Sequence, residues 1–242
     1  MARLRRSLHK FGRTLGRHFW SGQSAEFGRC AFSDMKRFVP SGISPLIIDV
    51  GGHIGDSICL FKQAFPSSII HSFEPSPDSF EKLRQNTARY TEIFRWNYAL
   101  GATAGKKTLL QNESSGMSSF LELGEFGWGS IEKKSLVDVR TLDSFLAENR
   151  VERVDILKSD TQGYELEVLK GAEQALRDNR IGLIYLELIF SPMYEGLPPF
   201  HQIFQHLAER NFMLVSIYGI QYQRKLADWA DALFVNSHYF EN

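Results

Sequence analysis

The chain has 242 residues, 43% of them hydrophobic and 13% aromatic, which suffices for the core of one ordinary α/β domain plus an extension. Its formal net charge of +0 hides an asymmetry. Residues 1–20 carry Arg3, Arg5, Arg6, Lys10, Arg13 and Arg17 without an acid, leaving 22 of the 28 basic residues to face all 28 acids in a mildly acidic body, which argues against a nucleic-acid surface.

Two cysteines, Cys30 and Cys59, make no disulfide framework. No run approaches the roughly 18 apolar residues of a membrane span, and residues 1–20 lack the apolar core of a signal peptide. A cytoplasmic protein is expected. The bases of residues 1–20 interleave with Leu4, Leu8, Phe11, Leu15 and Phe19, spacings that fall on one helical face and suit either an anionic membrane surface, such as an inner membrane, or packing on the domain. Residues 21–44 read as a linker with a short helix at 31–38, so residues 1–44 form an arm and 45–242 the domain.

From Leu46 the pattern alternates strand and helix, which implies a mostly parallel sheet with helices on both faces. The apolar run Leu46–Val50 suits a strand buried on both sides. A helix follows from Asp56 to about Phe65, then a strand over 68–74, a helix over 79–90 opened by Ser76-Pro77-Asp78, and a strand over 93–99. Residues 107–110 and 135–139 read as extended pieces around a polar loop, 111–130, whose length marks it as a lid. Thr141 is the expected N-cap of the next helix. A strand over 154–160, a helix over 164–177, a strand over 181–189, a helix over 200–210 and strands over 212–218 and 232–236 complete the pattern.

The chemistry concentrates at strand ends. Asp49-Val50-Gly51-Gly52-His53-Ile54-Gly55 is a strand, glycine turn and helix start, with Asp56 and Ser57 in the first turn. It departs from the dinucleotide fingerprint: His53 stands where a glycine belongs, and the acid Asp49 repels phosphate. A ligand with a cationic, methionine-like head, such as S-adenosylmethionine, fits better. Gly51, Gly52 and Gly55 would make room for it. Glu74, with Pro75 behind it, would hold the ribose hydroxyls, and Ala99 and Leu100 would pack on the adenine. Asp160 ends the fourth core strand, and Glu187 sits inside an apolar strand where an unpartnered charge is costly. For a transfer that needs a hydroxyl deprotonated, Asp160 is the first candidate base and His53 the second. Gln162, Glu165, Glu187 and Tyr194 are candidates for the acceptor side. The acids and His53 lie far apart in sequence and show no metal spacing.

With these segments placed, the chain resembles the FkbM-like family of S-adenosylmethionine-dependent methyltransferases. The resemblance rests on Asp49–Gly55, Phe73-Glu74-Pro75-Ser76-Pro77, Arg140-Thr141-Leu142-Asp143, Leu157–Glu165 continuing into Val168–Ala172, and Asp231-Ala232-Leu233-Phe234-Val235. It implies a Rossmann-like class I fold, a seven-stranded sheet with its last strand antiparallel, and methyl transfer to a hydroxyl, often on a sugar or polyketide. His53 stands where the family more often has Asn, and Gln162 where Glu is common. Two other readings compete. A nicotinamide-dependent oxidoreductase is disfavoured by His53. A non-catalytic, membrane-docked scaffold would have loops 111–130 and 190–196 fill the crevice rather than frame it.

Overall fold

A computed structural model of the chain describes residues 26–240. The basic amphipathic helix predicted for residues 1–20, with its membrane contact, lies outside the described residues. Among the described residues no helix is long and apolar enough to cross a membrane.

Helix α1 (Ala31–Phe38) precedes strand β1 (Leu46–Val50), whose last four residues are buried. Then follow α2 (Asp56–Ala64), β2 (Ile69–Phe73), α3 (Pro77–Asn86), β3 (Ile93–Trp96), β4 (Ala99–Leu100), β5 (Gly105–Asn112), β6 (Ile131–Arg140), α4 (Leu142–Glu148) and β7 (Val154–Ser159). The chain continues through α5 (Glu165–Lys170), α6 (Glu173–Arg177), β8 (Ile181–Ile189), α7 (Phe200–Ala208), β9 (Phe212–Gln223), β10 (Leu226–Asn236) and α8 (Ser237–Phe240). Seven strands form one sheet in the order β3-β2-β1-β7-β8-β10-β9. The ladders among β3, β2, β1, β7 and β8 are parallel, and the last strand, β10, is antiparallel to both β8 and β9.

Two cores cover the two faces. Consecutive residues of each central strand alternate between them: Ile47, Ile70, Ile156 and Leu183 pack with α1 and α2, while Ile48, Leu157 and Ile184 pack with α4, α5 and α7. β7 and β8 are buried along their whole length, as strands covered on both faces must be.

Several boundaries depart from the sequence reading. The expected strand 93–99 is two pieces: β3 belongs to the main sheet, whereas β4 joins β5 and β6 in a separate three-stranded sheet. Most of the loop 111–130 is packed, with a short 3-10 turn at Ser115–Met117 and with Met117 and Phe126 buried. The helix expected over 164–177 breaks into α5 and α6 around Gly171, where a Cβ would stand 2.1 Å from the Gly101 carbonyl oxygen. The last two strands run longer than the apolar pattern suggested, joined by a tight turn in which Arg224 and Lys225 both take positive φ. Thr141 and Ser76 cap their helices as their spacing predicts, accepting from Ser144 N–H and Ser79 N–H.

Candidate active site

Strand order reverses between β1 and β7, and the loops after those strands diverge to opposite faces, leaving a crevice beyond their carboxyl ends. A cavity of about 580 Å³ occupies it, walled by residues that run from Phe73 and Glu74 at the end of β2 to Trp229 and Asp231 on β10.

The glycine turn forms the floor. Gly51 N–H and Gly52 N–H both donate to the Phe73 carbonyl at 3.0 Å, and Asp160 N–H donates to the Val50 carbonyl at 3.1 Å, which clamps the ends of β1, β2 and β7 together. Gly51 has φ +76, and a Cβ there would lie 1.9 Å from the Asp160 carbonyl oxygen; one on Gly52 would lie 2.1 Å from Ser72 Oγ. Close backbone and side-chain contacts therefore demand a glycine at both positions, and both also line the cavity. Gly55 likewise abuts Thr87 and does not wall the cavity, though Gly51, Gly52, His53, Asp56 and Ser57 do.

Asp49 does not reach the cavity either. Fully buried beneath the turn, it accepts hydrogen bonds from Ser72 Oγ at 2.7 Å and Ser57 Oγ at 3.1 Å and faces Lys158 Nζ at 3.1 Å. Lys158 also donates to the carbonyls of Val50 and Gly51 at 3.2 and 2.7 Å. Burial would lower the Lys158 pKa, but Asp49 and Asp160 outweigh it and hold the ammonium above its ordinary value. The expectation that Asp49 grips a ligand head gives way to an internal ion pair that fixes the turn.

Glu74 faces the cavity with its carboxylate pinned: one oxygen accepts from His53 N–H, the other from Ser76 N–H, both at 2.8 Å. Each oxygen keeps a second lone pair for a ligand hydroxyl. Burial pushes its pKa up to about 7 despite those two bonds. His53 sits at φ +47 and shares a 2.7 Å hydrogen bond between Nε2 and Ser115 Oγ; burial lowers its pKa, so the ring is neutral near pH 7. It ties the glycine turn to the 3-10 turn above it. Residues 114–118, Phe120 and Trp128 frame the cavity and leave it open, and Pro75, Ala99, Leu100 and Leu109 give it an apolar wall.

The opposite side is acidic. Asp160, Glu187 and Asp231 all line the cavity. Gln162, at φ +56, donates from Nε2 to Asp160 Oδ1 at 2.9 Å and to Glu187 Oε2 at 2.7 Å, while its Oε1 accepts from Tyr194 Oη at 2.8 Å. Its amide is therefore spent on orienting two carboxylates. Tyr194 and Glu165 do not wall the cavity. Tyr194 stands behind Gln162, and Glu165 caps the 160–164 loop by accepting from Thr161 N–H, Thr161 Oγ1 and Gly163 N–H. Burial raises Glu165 to about pKa 7. The 190–196 loop pairs with residues 121–127 and buttresses the wall from outside.

The sequence reading assigned no role to Lys158 and Asp231. The signal was there: each is a charge set among apolar residues of a strand, as Glu187 is, although Asp155 and Asp228 share those strands. Cys59, a free and half-buried thiol on α2, lies against the cavity. Among the described residues no three His, Cys, Asp or Glu side chains are arranged as metal ligands.

This chemistry fits S-adenosylmethionine. Glu74 and the apolar wall suit a nucleoside, and a carboxylate-rich side suits a cation with no phosphate. The sequence profile of the FkbM methyltransferase domain matches residues 49–214. The 2-O-methyltransferase NoeI of Sinorhizobium fredii is 25% identical over 170 residues, covering 66% of this chain and 69% of that protein. The hexuronic acid methyltransferase AglP of Haloferax volcanii is 27% identical over 132 residues, 53% of this chain and 50% of that protein. Magnesium protoporphyrin IX methyltransferase of Synechocystis PCC 6803, solved with bound SAM, is 13% identical at a TM-score of 0.49, covering 85% of this chain and 77% of that one. The profile spans well over half of the sequence, and the chain belongs to the FkbM methyltransferase family of S-adenosylmethionine-dependent enzymes.

Proposed function

We propose that this protein transfers a methyl group to a hydroxyl of a sugar or glycan. The observation that carries the reading is the single cavity that holds Glu74 and an apolar slot toward β2 and the carboxylates Asp160, Glu187 and Asp231 toward β10. Two relatives bear names that specify 2-O-methyl transfer and hexuronic acid methylation. The acids and the indoles of Trp128 and Trp229 suit a polyhydroxylated ring with polar edges and apolar faces.

When bound, S-adenosylmethionine supplies an electrophilic methyl group on a sulfonium. Glu74 would accept from the ribose hydroxyls; Pro75, Ala99 and Leu100 would flank the adenine. Gly51, Gly52, Asp56 and Ser57, at the start of α2, would surround the methionine portion. Asp160, held by Gln162, would lie beside the sulfonium and help to accommodate its positive charge. Positioning of the acceptor oxygen in line with the methyl group supplies a large share of the rate. His53 is proposed as a latch rather than a base, since Ser115 engages its Nε2.

The test has two parts. Calorimetric titration measures S-adenosylmethionine binding, and label from its methyl group is followed into methyl glycosides of hexoses and hexuronic acids. Binding with label in an O-methyl ether is the expected result. Binding with label in none of the glycosides would sink the sugar assignment, and no binding would sink the donor site.

A further inference from the structure

The third acid of the cavity is Asp231. It enters from β10 because the antiparallel ladder brings the first half of that strand to the carboxyl end of β8, placing Asp231 opposite Glu187 and, on the other side, opposite Tyr218 of β9. Tyr185 Oη donates to its Oδ2 at 2.8 Å. Behind it lies a side chamber of about 20 Å³, room for one water, walled by Tyr185, Lys158, Asp160 and Ser159. The fully buried Ser159 Oγ has no hydrogen-bond partner.

We propose that Asp231 takes the proton from the acceptor hydroxyl during methyl transfer. This rests on the methyltransferase reading above. Asp160 and Glu187 each accept one N–H of a single anchored amide, which fixes the two carboxylates relative to each other. Asp231 is held instead by a phenol on Oδ2, outside that amide's reach, and it borders, with Asp160 and Glu187, the chamber that has room for one water. In the step, the acceptor oxygen forms its bond to the methyl carbon as the carbon–sulfur bond breaks. That electron pair goes to sulfur, converting the sulfonium to a neutral thioether, and the O–H proton passes to Asp231, which becomes a neutral acid and later releases it to solvent.

The electrostatic setting agrees. Burial raises Asp231 most, the Asp160 charge raises it further, and Tyr185 and Lys158 pull it down, leaving it at about 7. Glu187 of β8 and Tyr218 of β9, itself bonded to Asp34 of α1, complete the titratable groups around it. A base in that range combines availability with proton affinity near neutral pH.

At saturating S-adenosylmethionine, where weakened donor binding through Glu74 does not enter, turnover of whichever glycoside the wild type methylates should fall about tenfold per pH unit below 7. Asp231→Asn should lower kcat by about 100-fold or more with S-adenosylmethionine affinity retained, and its profile should lose that acid limb. Tyr185→Phe should keep the limb but move it to higher pH, because the anion loses a donor. An acid limb that persists in Asp231→Asn and vanishes in Asp160→Asn would overturn the assignment. Infrared difference spectra of wild type minus Asp231→Asn, without donor or acceptor, give a second reading: a carboxylic carbonyl band should titrate near pH 7, and its absence at pH 5 would also overturn it. Failure of the wild type to bind donor would count against the methyltransferase reading instead, and the infrared band alone would then decide the protonation of Asp231.

Discussion

A carboxylate can serve a ligand or the protein, and hydrogen bonds decide which. Asp49 and Glu74 read alike in the sequence, each an acid at the end of a parallel strand. Asp49 spends its oxygens on Ser57, Ser72 and Lys158, whereas Glu74 keeps lone pairs facing the cavity. The sequence marks both acids but not the lysine on the neighbouring strand that claims one of them, since the β1–β7 register that pairs Asp49 with Lys158 is a tertiary fact. Glu74→Gln should weaken S-adenosylmethionine binding roughly 10- to 100-fold, the loss of a charged acceptor. Wild-type affinity should fall as pH drops below about 7, where Glu74 gains its proton, and the variant's should not; titration calorimetry at pH 6 and 8 checks both. Lys158→Met strands a buried carboxylate and should cost about 3–5 kcal/mol in chemical denaturation, and adding Asp49→Asn should recover part of it. Gly51→Ala should destabilise by more than about 2 kcal/mol and abolish donor binding, because the new methyl must displace the Asp160 carbonyl at a positive φ.

At the level of elements, periodicity located nearly every strand and helix of the main sheet, because strands buried on both faces leave unbroken apolar runs. It failed where tertiary contact overrides local pattern. The α5–α6 break depends on the close approach of Gly171 to Gly101, and the loop over the cavity is held by partners distant in sequence. Ser119 donates to the Gln162 carbonyl across 43 residues, and Gly124 N–H donates to the Met193 carbonyl. The wall that looked like a mobile lid is thus fastened at several points, of which His53–Ser115 is the most direct link to the glycine turn. Ser115→Ala should weaken donor binding by about 0.5–1.5 kcal/mol while leaving global stability almost unchanged. A thermal midpoint that drops with the affinity would mean the link supports the fold instead.

Among the described residues, burial raises three acids, Glu74, Glu165 and Asp231, to about 7. Unfolded, such groups titrate near 4. The folded state therefore holds protons that the unfolded chain releases, and this contribution, full below pH 4, is lost as pH rises through 7. Donor-free Asp231→Asn should accordingly gain stability over wild type between pH 5 and 8, by on the order of 2 kcal/mol, in denaturation at the two pH values. The strand order carries one more consequence. β10 lies between β8 and β9 yet is made after both, so a growing chain that has reached residue 223 exposes two bare strand edges with a gap between them. Donor-side residues up to Asp160 would by then have left the ribosome, and the acid opposite Glu187 would not. During translation the pocket for the nucleoside can assemble before the chemistry it serves, and only insertion of the final strand joins the two.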